Sequence, residues 1–224
     1  MDNDFRQALA QSRRSSWGKI NAARYHAVLN TPGKVILDVG CSKGDYVRKL
    51  SQEGYIAFGV DILADAEWQR SSQKRFVCAD ARHLPFQDQS FDTLLAFEVL
   101  EHIQEPGAAL DEFHRICKKH LVVSVPNCNM SIDILNAGLA FSHWTDRTHL
   151  NFFTQDQLRT LLENHGFRIA TITLINRAFI DYPVLRSFHI PHSIAYFISR
   201  GLARIPFRKQ YFITILATAE RLPK

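Results

Sequence analysis

The chain has 224 residues, 46% of them apolar, a length and composition that suit one domain (1–224) around one sizeable core. No apolar run of about 18 residues and no basic-then-apolar opening is visible, which argues against a membrane span or secretory signal and for a cytoplasmic chain. The formal charge of +5 is uneven: from Asn176 onward eight Lys/Arg stand against Asp181 and Glu220, so the last 49 residues carry all the excess. Such a basic section is open to an anionic substrate, nucleic acid, a membrane surface or plain solvent.

Residues 1 to 16 are polar and read as an arm. Trp17 to Leu29 offers Ile20, Ala23, Tyr25 and Val28 as one apolar side of a helix, closed by Thr31-Pro32-Gly33. Residues 1–30 are thus an N-terminal arm and helix, and the helix could cover a pocket. Val35-Ile36-Leu37 then reads as a strand buried on both faces, ending in Asp38, Gly40 and Gly44 before a helix over Asp45 to Glu53. The two glycines remove side chains where the backbone turns, so amides and the helix N-terminus can face a ligand. Asp38 could meet a positive group on that ligand. A dinucleotide fingerprint would need glycine at Ser42 and glycine or alanine at Asp45, and both positions fail.

Tyr55 to Val60 is a second strand, ending in Asp61, a carboxylate placed to accept hydrogen bonds from both hydroxyls of a ribose. Arg75 to Cys78 is a third, leading into Asp80 and Ala81. Thr93 to Phe97, a fourth, runs directly into Glu98-Val99-Leu100-Glu101-His102. Ala108 to Cys117 has helical periodicity, and Leu121 to Val125 is a fifth strand stopped by Pro126. This alternation predicts a parallel sheet with helices on both faces and a crevice at the strands' C-terminal ends. A helix over Ser131 to Ala140 follows, and then a capping box at Thr154 and Gln157 with Leu158, Leu161 and Leu162 on the core side. Phe167 to Leu174 and Tyr211 to Thr218 are strands six and seven. The insertion 176–209 mixes aromatic and aliphatic residues with arginines. It is expected to form one or two short helices serving as a lid, a homodimer face or a peripheral membrane contact. The four cysteines, Cys41, Cys78, Cys117 and Cys128, lack a Cys-x-x-Cys pair and read as reduced core residues rather than zinc ligands or disulfides.

Asp38, Gly40 and Gly44, followed in order by Asp61 and Asp80, resemble the class I S-adenosylmethionine (SAM)-dependent methyltransferases, whose first motif is an acid, any residue, then Gly-x-Gly-x-Gly. Ser42 stands at the middle glycine. Leu84-Pro85-Phe86 and Ser90-Phe91-Asp92 reproduce the family's approach to its fourth strand, and the likeness runs from Thr31 to Ala219, the insertion excepted. The resemblance implies an α/β, Rossmann-like seven-stranded sheet of order 3-2-1-4-5-7-6 with its last strand antiparallel. It also implies SAM as cofactor, held by Asp38, Gly40, Cys41, Gly44, Asp61, Ile62, Asp80, Ala81 and Phe97, with Asp80 reaching the adenine amino group and Ile62 framing the ring.

Glu98, Glu101 and His102 have the spacing of one helical face, and His149 follows the fifth strand into the same crevice. Two carboxylates and two imidazoles could hold a divalent metal with open positions for an acceptor. A similar Glu-x-x-Glu-His with a later histidine is seen in small-RNA 2′-O-methyltransferases and ubiquinone-biosynthesis O-methyltransferases. Alternatively Glu98 and His102 shape the cofactor and acceptor pocket without a metal. His149 can instead be read as a general base, with Asp146 to orient it and His102 as a further catalytic candidate. The expected activity is methyl transfer to an oxygen of a small metabolite, glycan or lipid-linked acceptor. The alternatives are a metal-dependent RNA 2′-O-methyltransferase and a SAM-binding protein without catalysis.

Overall fold

The structure is a computed structural model and describes residues 20–70, 75–129, 136, 144–179, 181–205 and 210–223. The expected arm over 1–16, the start of the first helix at Trp17 and all but Asn136 of the helix expected over 131–140 lie outside the described residues.

Seven strands form one sheet in the order β3-β2-β1-β4-β5-β7-β6. They are β1 (Val35–Val39), β2 (Ile56–Asp61), β3 (Phe76–Cys78), β4 (Phe91–Phe97), β5 (Cys117–Pro126), β6 (Phe167–Ala178) and β7 (Tyr211–Arg221). The first five pair in parallel, and β7 runs antiparallel to both β5 and β6. The helices are α1 (Ala22–Leu29), α2 (Asp45–Gln52), α3 (Pro106–Ile116), α4 (Gln155–Asn164), α5 (Asp181–Ser187) and α6 (His192–Leu202).

Alternation along the strands builds two apolar layers, because successive side chains point to opposite faces. Leu37, Leu94, Leu121, Val123 and Ile215 pack under Leu110, Phe113 and Ile116 of α3 and Leu158 and Leu162 of α4. Ile36, Leu95, Val122 and Leu216 pack under Val28 of α1 and Val47 and Leu50 of α2. Because both faces of the central strands are covered, they read as unbroken aliphatic runs. Full burial of a side chain such as Leu95 is worth about 1.5–3 kcal/mol.

Helix ends follow local chemistry. Asn21 caps α1, its side chain accepting from the Arg24 amide, so this helix begins at Ala22 within the described residues. The Thr154 and Gln157 capping box opens α4 with both reciprocal bonds formed. β6 runs on to Ala178, so the insertion's first three residues belong to the sheet, and its described remainder is the helix pair α5 and α6. Tyr211 pairs with Ala178 and Thr214 with Pro126, so the insertion leaves and re-enters at the edge where β1, β2, β4 and β5 end. All four cysteines are free, but Cys78 is exposed rather than a core residue.

Candidate functional site

The parallel strands deliver their terminal residues to one edge of the sheet. At the end of β1, Gly40 (φ +73°) and Gly44 (φ +84°) adopt left-handed backbone, and Ser42 between them does the same at φ +47°. Ser42 thus occupies the conformation that the resembling motif reserves for glycine, at some steric cost. A Cβ on Gly40 would lie 2.4 Å from Val99 Cγ2, which seats the turn directly on the segment leaving β4. Asp61, at the end of the neighbouring β2, accepts the Ser42 amide at 2.8 Å and the Leu63 amide at 3.1 Å, one on each carboxylate oxygen. Trp68 donates its indole N–H to the Ser42 carbonyl at 2.7 Å and stacks on Phe76, so it braces the turn from outside.

Asp38 is buried, and among the described residues no hydrogen-bond donor reaches its carboxylate. Burial, then the charges of Asp61 and Asp45, push its carboxyl well above the ordinary carboxylate range. A cationic ligand group beside it would reverse that penalty. Cys41 is buried in the turn, its amide bonded to the Val60 carbonyl at 3.1 Å. Ile62 follows β2, and its carbonyl accepts from the Cys78 thiol at 3.4 Å. Asp80 and Ala81, half-buried, lie just past β3. Asp80 grips Arg82 through Nε and Nη2 (2.7 Å for Nη2 to Oδ2), and this pairing holds its carboxyl below the usual range. Asp38, Asp61 and Asp80 therefore share one sheet edge, on three adjacent strands.

The segment after β4 does not form the helical face expected for Glu98, Glu101 and His102. Glu98 takes φ +55°, Val99 is non-helical at φ −124°, and only a single 3-10 turn, Leu100–His102, follows. Glu98 stands outside the cluster that Glu101 forms with His102 and His149. It pairs instead with the buried Arg24 of α1 and accepts from Ser124 Oγ at 3.0 Å. Arg24 also lies over the Phe97 ring, 5.5 Å from its centroid, and Phe97 packs against Tyr46. Tyr46 Oη accepts the Asn21 amide at 3.1 Å, so α1 is fastened across the mouth of β4. Sequence reading identified the helix as a cover but missed Arg24, Tyr46 and Trp68. An isolated charge or aromatic carries no local sign of a partner dozens of residues away.

Glu101, by contrast, gathers the histidines. Its ligand atoms and those of His102 and His149 all lie within 4.8 Å of one another. The carboxylate is 1% exposed, and among the described residues neither oxygen has a hydrogen-bond partner. Burial, then the Glu98 charge, raises its carboxyl well above the ordinary value. His102 Nδ1 lies 2.9 Å from the Thr148 carbonyl, a pure acceptor, so in the neutral ring that nitrogen carries the proton and the lone pair is on Nε2, 4.0 Å from Glu101 Oε1. His149 packs edge-on against His102 at 4.8 Å, with its Nε2 3.8 Å from Asp146 Oδ2. Burial pushes the Asp146 carboxyl up, but the Thr148 hydroxyl and amide and the two imidazoles outweigh it and hold it low. The loop is bolted in place: the Leu150 and Asn151 amides donate to the Glu101 carbonyl at 2.7 and 3.1 Å, and the Asn151 side chain to the Ile103 carbonyl at 2.6 Å. The donor set, one carboxylate orphaned by its protein neighbours and two imidazole nitrogens, fits a divalent cation of the Mg²⁺, Mn²⁺ or Zn²⁺ kind.

Comparison with known proteins agrees with this architecture. A family model described as a methyltransferase domain matches residues 12–172. A ubiquinone biosynthesis O-methyltransferase of Coxiella burnetii is 27% identical over 177 residues, spanning 73% of this chain and 74% of that protein. A magnesium-protoporphyrin O-methyltransferase of Synechocystis is 23% identical over 168 residues, spanning 70% and 73% of the two chains. Among solved structures, a SAM-dependent methyltransferase from Archaeoglobus fulgidus superposes with a TM-score of 0.65 at 21% identity, covering 98% of this chain and 100% of that one. The strand order, the glycine turn after β1 and the family match lead to one assignment, and the chain belongs to the class I SAM-dependent methyltransferases.

Proposed function

We propose that this methyltransferase acts on a hydroxyl oxygen of a small or lipid-linked acceptor, with Glu101, His102 and His149 holding a divalent cation next to that oxygen. The observation that carries the reading is the buried, unpartnered Glu101 carboxylate with two imidazole nitrogens within 4.8 Å. A carboxylate left charged and unpaired in the interior costs several kcal/mol, and a cation at that point removes the cost. Relatives named as O-methyltransferases support oxygen as the accepting atom.

On this reading Asp38, Gly40, Cys41 and Gly44 line the methionine side of the cofactor, and the two Asp61 oxygens can each accept a further bond from a ribose hydroxyl. Ile62, Asp80 and Ala81 line the adenine side, and Phe97 the floor between cofactor and acceptor. The sulfonium of SAM supplies an already activated methyl group, so the protein's work is alignment and exclusion of water. A bound cation would lower the acceptor hydroxyl's pKa and fix its direction. Without a cation, His149, its Nε2 3.8 Å from Asp146 Oδ2, would instead be the base that takes that proton. Glu98 belongs to the Arg24 pair and positions α1 over the crevice.

The test is methyl transfer from SAM to a panel of phenol, catechol and vicinal-diol acceptors, with and without chelator. An O-methylated product that disappears with EDTA and returns with Mg²⁺, Mn²⁺ or Zn²⁺ is expected. Transfer indifferent to chelator would overturn the metal, and a rate that requires added RNA would overturn the acceptor class.

A further inference from the structure

Helix α6 is built inside out. Its inward positions are Ala195 and Ser199, both 0% exposed, continued by Ala203 just past its end, whereas Ile194 is 51% and Phe197 79% exposed. An ordinary surface helix turns its large apolar residues to the core and its small or polar ones to water. Helix α5 buries no residue at all, and Phe188, which follows it, is 73% exposed. Val184 and Ile205 are also exposed, at 54% and 50%, and exposed large apolar side chains concentrated in one segment mark an interaction site.

Charge indicates the partner. Between Asp181 and Ile205 three arginines, Arg186, Arg200 and Arg204, stand against Asp181 as the only acid, and all three are exposed. A two-fold pairing of this surface with a second copy would set arginine against arginine. An anionic bilayer instead offers phosphates to the arginines and the acyl boundary to the phenylalanines. The location adds a reason. The segment springs from Ala178 and returns at Tyr211, on the sheet edge that carries Asp61 and leads into Glu101, and Asn176 at its root is tied to Asn21 beside α1 at 2.7 Å.

We propose that α5 and α6 dock this enzyme on an anionic lipid surface, placing the bilayer beside the acceptor crevice. That an amphiphilic acceptor enters from the bilayer rests on the methyl-transfer reading above; the docking itself does not. The test is co-sedimentation of the full chain with vesicles of phosphatidylcholine alone and of phosphatidylcholine with phosphatidylglycerol, with sedimentation velocity on the lipid-free protein. The protein is expected to pellet with the anionic vesicles, to remain soluble with the neutral ones, and to be released by salt. R200A with R204A should weaken the partition by about twenty-five-fold, at roughly fivefold per arginine. F188S with F197S should weaken it at least about tenfold. Both variants should keep SAM affinity and melting temperature, which separates lost docking from misfolding and from any failure of the acceptor assignment. No pelleting with anionic vesicles would overturn the proposal. So would a stable dimer in solution that F188S with F197S dissolves, since a second copy would then cover the face.

Discussion

Replacing Glu101 by Gln removes a negative charge from a place where burial and the Glu98 charge outweigh what favours it. The carboxylate is 1% exposed, has no hydrogen-bond partner among the described residues and feels the Glu98 charge. An unsatisfied buried polar group costs about 1–3 kcal/mol, more when charged, and an isosteric neutral amide escapes the charged part. For a chain of this size about 2 kcal/mol corresponds to a melting-temperature gain of roughly 4–8 °C. The metal-free Glu101→Gln protein should therefore be more stable than the parent at neutral pH. The pH dependence has a definite sign. Glu101 binds its proton more tightly folded than unfolded, so its contribution is fully present below its ordinary value of 4.5 and is lost as pH climbs through the raised folded-state value. The gain from Glu101→Gln should accordingly shrink on acidification towards pH 4.5. Metal reverses the ranking: a cation at a hundred times its dissociation constant stabilises the parent by about 2.7 kcal/mol and should leave the variant nearly unmoved. Differential scanning fluorimetry over a pH series, with EDTA and with each metal, reads all of this. A variant that is destabilised without metal, or that responds to metal as the parent does, would refute the reasoning.

Asp61→Ala should weaken SAM binding at least about a hundredfold by calorimetry, because it removes the bonds that hold the Ser42 and Leu63 amides together with the carboxylate proposed to accept from the ribose. Arg24→Ala leaves the Glu98 carboxylate, 17% exposed, without its cation, and should cost about 2–4 kcal/mol in urea unfolding. Arg24→Met combined with Glu98→Gln should recover most of that loss. Ser42→Gly should raise stability by about 0.5–1 kcal/mol, since the residue already sits at φ +47°; a loss would show that the serine side chain holds the turn. Gly40→Ala drives a Cβ to within 2.4 Å of Val99 Cγ2 at a positive φ. It should cost about 2 kcal/mol or more, with partial rescue by Val99→Ala.

Strand order and the sheet edge that gathers Asp38, Asp61 and Asp80 were legible in the chain because they rest on local physics. Aliphatic runs such as Val35-Ile36-Leu37 bury on both faces, glycine permits the left-handed turn at Gly40 and Gly44, and short βα connections force parallel neighbours, so Asp38, Asp61 and Asp80 had to emerge at one edge. The capping box at Thr154 and Gln157 was readable for the same reason. Only the tertiary structure decided how the carboxylates divide their roles. Glu98 and Glu101 look equivalent at helical spacing, but a left-handed φ at Glu98 aims it at Arg24, 74 residues earlier, while a single 3-10 turn leaves Glu101 to the histidines. The outward aromatics of α6 likewise need burial to be seen, because periodicity says that a helix has two faces and not which one the sheet will cover. Sequence alone specifies backbone preferences and layer order; which charge meets which depends on contacts that exist only after the chain has closed on itself.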